Sequence, residues 1–205
     1  MEFEYYYEQL KHWPKQGRHI LAQSDEESVI VYQAYRPSIG LYAEKHQFFG
    51  GDFSFSRMSW IKTNFLWMMY RSGWGTKQGQ EVTLAIKLKK SYFDSILLNA
   101  FPSTNHTVIP QEEWKQQLSK TNVRLQWDPD HRPDGGSEER RAIQLGLRNE
   151  FLSPFSGDGI IAINNISEFV EEQRSYVNKN ALDKLLIPKE SVYKVSDEIR
   201  DVLNM

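Results

Sequence analysis

The chain of 205 residues contains no cysteine. That absence excludes a disulfide framework, thiolate metal sites, iron–sulfur clusters and a cysteine nucleophile. Long apolar runs are missing as well, and the longest fall far short of the ~20 residues that span a bilayer. The N-terminus, MEFEYYYEQLKHW, has neither the basic start nor the apolar stretch of a signal peptide. A cytoplasmic protein with no membrane partner is expected. Several catalytic signatures are absent too. Gly73-Trp-Gly75-Thr76-Lys77 has glycines and a lysine but not the spacing that wraps successive N–H groups around a phosphate. No GxGxxG follows a strand pattern, no GxSxG elbow occurs, and no HExxH is present. A P-loop NTPase, a classical dinucleotide-binding dehydrogenase and a serine hydrolase are therefore not expected. Histidines 12, 19, 46, 106 and 131 are scattered. His131 with Asp128, Asp130 and Asp134 makes an oxygen-rich loop, which more often is simply solvated, and no metal is expected.

Aromatic residues are what the chain has in surplus: 6 Trp, 10 Tyr and 11 Phe. Nine of these 27 fall between Phe48 and Trp74. The formal net charge of −2 conceals a second local feature. From Arg57 to Lys90 the chain carries a net +6, leaving −8 for the rest. A basic, aromatic block in a mildly acidic protein of pI near 6.2 suits phosphates or a stacked planar base better than duplex DNA. The plainer alternative is an aromatic core with its lysines turned to water.

The hydrophobic patterning predicts one α+β domain. Its expected architecture is about five strands in a mostly antiparallel, split sheet with flanking helices. Residues 1–27 form an N-terminal arm, 128–140 (two prolines, two glycines) a mobile loop, and 164–205 a helical and strand extension. Ser28–Tyr35 reads as a buried strand, and Pro37 opens a helix that ends before Gly50. Asn64 is a candidate N-cap for an apolar helix over 65–71, stopped by Gly73. Gln80–Lys90 alternates as a strand with Thr83, Lys87 and Lys89 on a wet face, followed by a helix capped by Ser91. Val123–Trp127 is a strand that Asp128-Pro129 stops, and 141–147 resumes as another. A helix is expected over 166–186.

Around the predicted helix start, Arg57, Ser59, Trp60, Lys62, Asn64, Trp67, Tyr70 and Arg71 bring cations, hydroxyls and indoles together. Orphan N–H groups near Asn64–Leu66, with Lys62 and Arg57, suit an anion. Arg71 can make a bidentate fork to a phosphate or carboxylate, or can pair with an internal acid instead.

The block SFSRMSWIKTNFLWMMYRSGWGTKQGQEVTLAIKL, with VYQAYRPSI and VRLQWDPDHRP…RAIQLGL, resembles domain of unknown function 4291. That label implies no activity. The order of segments is also similar to small proteins of the ADP-ribosyltransferase and RNA 2′-phosphotransferase kind. Tyr32-Gln33 stands where those carry a Tyr-His pair, and Gln126-Trp127-Asp128 sits on the late strand bearing their catalytic group. This second resemblance implies an ADP-ribosyltransferase-like fold and an NAD-dependent transferase acting on a nucleotide or nucleic acid. Gln33, Gln126 and Asp128 would then be the catalytic candidates. Tyr32, Arg57, Trp60, Lys62, Asn64, Trp67, Tyr70, Arg71 and Trp127 would bind the ligand, and NAD would be the cofactor. Two alternatives stay open. One is a non-catalytic module for single-stranded nucleic acid using Lys87, Lys89 and Lys90; the other is a structural protein whose tryptophan block is core.

Overall fold

A computed structural model describes residues 1–105 and 109–205; His106 lies outside them. In chain order the elements are β1 (Phe3–Tyr5), α1 (Tyr6–Leu10), β2 (Gly17–Arg18), β3 (Leu21–Ala22), β4 (Ser28–Tyr35), α2 (Pro37–His46), β5 (Ser59–Lys62), α3 (Phe65–Ser72), β6 (Val82–Lys89), α4 (Lys90–Leu98) and β7 (Ala100–Pro102). Then follow α5 (Gln111–Lys120), β8 (Val123–His131), β9 (Ser137–Leu147), β10 (Ile160–Asn165), α6 (Ser167–Asn178), β11 (Leu186–Pro188), β12 (Ser191–Val192) and α7 (Asp197–Leu203).

The main sheet has eight strands. Seven run in the order β10-β6-β4-β5-β9-β8-β7, and β2 lies beside β9. All pairings are antiparallel except β7 with β8 and β2 with β9. The expected α+β class and mostly antiparallel sheet are therefore present. The sheet has more strands than the pattern suggested, because β2 and β7 are too short to carry a period of two.

Alternation along the strands feeds two cores, one on each face. Val29, Val31, Leu84, Ile86, Ile61, Leu145 and Leu125 build the first, with Ala43 of α2, Phe93 of α4 and Ile199 of α7. Ile30, Tyr32 and Ala85 build the second, against Phe65, Leu66 and Met69 of α3 and Val170 of α6. Covered on both faces, β6 has only the end of its expected wet face: Thr83 is fully buried while Lys89 is exposed.

β4 matches its predicted bounds, and so does the Pro37 start of α2. Four local expectations are corrected. Asp128-Pro129 does not stop β8, because Pro129 sits at a bulge where the missing N–H breaks no ladder bond. The 128–140 loop consequently shrinks to the turn 132–136 between β8 and β9. Ser91 is not the cap of α4, which starts at Lys90 with no side-chain cap. The helix of 166–186 ends at Asn178, with Asn180 in the left-handed region at φ 53°.

The terminal segments meet. β1 pairs with β11 and β3 with β12, so residues near both ends together cover the start of α3.

Candidate anion-binding cleft

β4 and β5 are in register at one pair only, Tyr32 with Lys62. Beyond it the strands diverge, and the Gln33 side chain bridges the gap. Its Nε2 donates to Ser59 Oγ at 2.7 Å and to the Trp60 carbonyl at 3.1 Å, while the Tyr35 hydroxyl shares Ser59 Oγ at 2.9 Å. Gln33 is 3% exposed and its Oε1 has no hydrogen-bond partner. A buried carbonyl oxygen without a donor is costly in an apolar setting.

That split opens into a cleft of about 620 Å³, within the range of small-molecule sites. Gln33, Arg36, Arg57, Trp60, Lys62, Arg71, Gln126 and Gln144 are among its lining residues. Three helix-building choices place them. Asn64 Oδ1 accepts the Trp67 N–H at 2.7 Å and starts α3 directly after β5. Gly73, at φ 58°, ends the helix in the left-handed region that glycine adopts without strain. Between these limits, Met68 and Arg71 face the cleft.

The cleft is electropositive. Arg36 is matched by Asp52 at 3.1 Å, but Arg57, Lys62 and Arg71 make no ion pair among the described residues. Lys62 is 5% exposed, with its Nζ 4.9 Å from the Trp67 ring centroid. An uncompensated buried ammonium is unfavourable. Burial first, then the Arg71 charge, pulls the Lys62 amine down from 10.5 to about 7, against an opposing pull from Asp128. The Asp128 carboxyl is itself pushed up by burial, although Gln144 Nε2 donates to it at 2.7 Å. The same Gln144 amide donates to Gln126 Oε1.

Of the sequence-predicted residues, Gln33, Arg57, Trp60, Lys62, Arg71 and Gln126 come together here. Others do not line the cleft. Tyr32 is fully buried in the second core, edge-on to Phe65. Trp67 is 5% exposed beneath Lys62. Tyr70 stacks on His131 at 3.5 Å. Trp127 points to the opposite face, where its indole N–H donates to the Leu203 carbonyl at 3.0 Å. With Asp128 it lines a separate hollow of about 470 Å³. Ser59, named in the sequence cluster, meets Gln33 through its hydroxyl; Gln144 was missed, since only strand pairing brings it opposite Lys62.

The start of α3 is also not free for a ligand. Glu190 Oε1 accepts the Phe65 N–H at 2.7 Å, and Asn64 Nδ2 donates to Glu190 Oε2 at 3.3 Å. The helix terminus is thus occupied by the protein's own carboxyl group. Burial holds the Glu190 carboxyl well above the usual range, a shift that the Phe65 N–H opposes. Beside it Arg140 pairs with Asp130 at 2.6 Å, both side chains being almost wholly buried. Asp130 is therefore locked in an ion pair rather than solvated in a loop.

The basic strand end is partly neutralised. Lys87 pairs with Asp25 at 3.1 Å and Lys90 with Asp94 at 2.5 Å. Among the described residues, no helix is long and apolar enough to cross a membrane.

A single α+β domain with a split antiparallel sheet and a basic cleft at the split is the class these features define. The family model described as Domain of unknown function (DUF4291) matches residues 19–193, and the chain belongs to that family. No curated protein matches the chain.

Proposed function

We propose that the cleft binds a nucleotide, with NAD or another pyrophosphate-bearing ligand the best fit. The observation that carries this reading is the set of three cations, Arg57, Lys62 and Arg71, that share one cleft and make no ion pair among the described residues. Two guanidiniums offer bidentate forks to phosphate oxygens. Trp60, half-buried at the rim, offers a face for a planar base. The unpartnered Gln33 Oε1 offers an acceptor for a carboxamide or an exocyclic amine. NAD would supply an activated glycosidic bond. The ADP-ribosyltransferase-like or phosphotransferase activity proposed on this basis assigns roles only to residues of this chain. Gln33, held by Ser59, would orient the ligand. Gln126, held by Gln144, would face the sugar. Asp128 lies outside the cleft lining and is joined to Gln126 through Gln144, so its part would be to position that amide.

Thermal-shift measurements with NAD, ATP, pyrophosphate and a short RNA test the binding. Stabilisation by the nucleotides that is lost in Arg71→Met is expected. No shift with any of the four at millimolar concentration overturns the reading.

A further inference from the structure

Lys62 and Arg140 are both nearly fully buried, and their surroundings differ. Arg140 is 5% exposed and is satisfied on every side. Its Nε and Nη2 donate to Asp130 at 2.7 and 2.6 Å, Nη1 donates to the Pro14 carbonyl at 2.7 Å, and the guanidinium lies 5.0 Å from the Trp13 ring centroid. Lys62 is equally buried but has no acceptor for its amine among the described residues, and it lines the cleft. A cation kept for structural reasons is paired, as Arg140 is. An unpaired primary amine set at the wall of a cavity beside another cation is the arrangement that activates a lysine as a nucleophile.

We propose that Lys62 Nζ condenses with the carbonyl carbon of a phosphorylated aldehyde, such as the reducing end of a ribose phosphate, whose phosphate is held by Arg57 and Arg71. This rests on the anion-binding reading of the cleft and adds the chemistry of one atom to it. The division of labour follows from the residue types. The guanidiniums stay charged at all relevant pH values and grip phosphate in planar fashion. Only the amine can give up its proton and present a lone pair. Lys62 is faced by Arg71 of α3, which disfavours the charged form, and by Asp128 of β8, which favours it. The Trp67 ring adds weak support to the ammonium. Burial and Arg71 prevail, and a large share of free amine is present near pH 7.

The step balances without any further reagent. The Nζ lone pair attacks the aldehyde carbon, a C–N bond forms, and the carbonyl oxygen takes up a proton as the nitrogen loses one. The resulting carbinolamine then expels that oxygen as water, the nitrogen giving up its remaining proton, and leaves an imine between Lys62 and the sugar carbon.

The test treats the full chain at pH 7 with one equivalent of pyridoxal 5′-phosphate, reduces with borohydride and maps the modified lysine by peptide mass spectrometry. Pyridoxal, which lacks the phosphate, runs in parallel. Free amine is a minute fraction of an ordinary exposed lysine at this pH, so Lys62 is expected to carry most of the label. Labelling should fall about fivefold between pH 7 and pH 6 as the amine is protonated, and pyridoxal should label Lys62 far less. Lys62→Arg, which keeps the charge but not the nucleophile, should lose that adduct. Label spread over exposed lysines with Lys62 untouched overturns the proposal, as does equal labelling by pyridoxal. Calorimetry with ATP separates the two ideas. If ATP binds and Lys62 stays unlabelled, the nucleophile fails and the cleft reading survives. If ATP also fails to bind, both are overturned.

Discussion

The Nζ of Lys62 lies 4.9 Å from the centre of the Trp67 ring, one residue being the last of β5 and the other in the first turn of α3. Asn64 enforces this proximity. By accepting the Trp67 N–H it folds the chain back within three residues, and the indole comes to lie beneath the amine. The ring is a favourable partner for the amine, yet it offers much less than the paired carboxylate that a buried ammonium ordinarily has.

Lys62 should therefore make stability depend on pH. Its amine titrates near 10.5 when unfolded and about 7 when folded. Between those values the unfolded chain binds more protons, so this group makes stability rise with pH from about 7 to 10.5. Below pH 7 the full cost of the buried charge is present. Lys62→Met removes it and should stabilise the protein by up to about 5 kcal/mol at pH 6, and progressively less as pH rises from about 7 towards 10.5. Denaturant melts at pH 6, 8 and 10 check the trend; a gain independent of pH would contradict it.

Glu190 should show the opposite pH dependence. Its folded carboxyl titrates well above 4.5, so from pH 4.5 upward the folded state binds more protons and stability falls with rising pH. Glu190→Gln keeps an acceptor for the Phe65 N–H without the charge. Its stability relative to the native chain should improve as pH rises and match it below 4.5. Glu190→Ala removes the charge as well but strands the Phe65 N–H, so it should follow the same pH trend about 1–3 kcal/mol below Glu190→Gln. Chemical melts across pH 4 to 9 distinguish the two variants.

Gly146 should control the cleft without supporting the fold. It stands opposite Trp60 across the β5–β9 pair, and a Cβ there would approach Trp60 Cζ2 at 2.9 Å and Met58 Sδ at 2.7 Å. Met58 can yield, but the indole is rigid and must tilt. Gly146→Ala should weaken nucleotide binding by about tenfold, or ~1.4 kcal/mol, with circular dichroism unchanged. Titration calorimetry and far-ultraviolet spectra together check this.

Local signals in the sequence carried as far as local physics reaches. The run Ser28–Tyr35, the Pro37 start, the Asn64 cap and the Gly73 stop each depend on neighbours within a turn, and each is present. The basic, aromatic block likewise delivered Arg57, Trp60, Lys62 and Arg71 to one cleft. What escaped depends on pairing between distant segments. The Trp127 indole turns away from the cleft to the Leu203 carbonyl, while its neighbour Gln126 reaches the cleft lining. Gln144 becomes a site residue only because β9 sets it between Lys62 and Gln126. Glu190 reaches α3 across 125 residues of chain, through strand pairings two and three residues long, and such short strands leave no periodic trace. The helix start was read as suiting an anionic ligand, but nothing local pointed to the Glu190 carboxyl that occupies it.

The central claim is that an anionic nucleotide docks beside Lys62, and proton-linked calorimetry tests it most directly. ATP is titrated into the full chain at pH 8 in two buffers of different ionisation enthalpy. A phosphate beside Lys62 must raise the amine's affinity for its proton, which is largely absent at this pH in the free protein. The account predicts saturable binding with net proton uptake, no uptake in Lys62→Met, and weakened binding in Arg71→Met. Binding with no proton uptake, or binding indifferent to both substitutions, would contradict it.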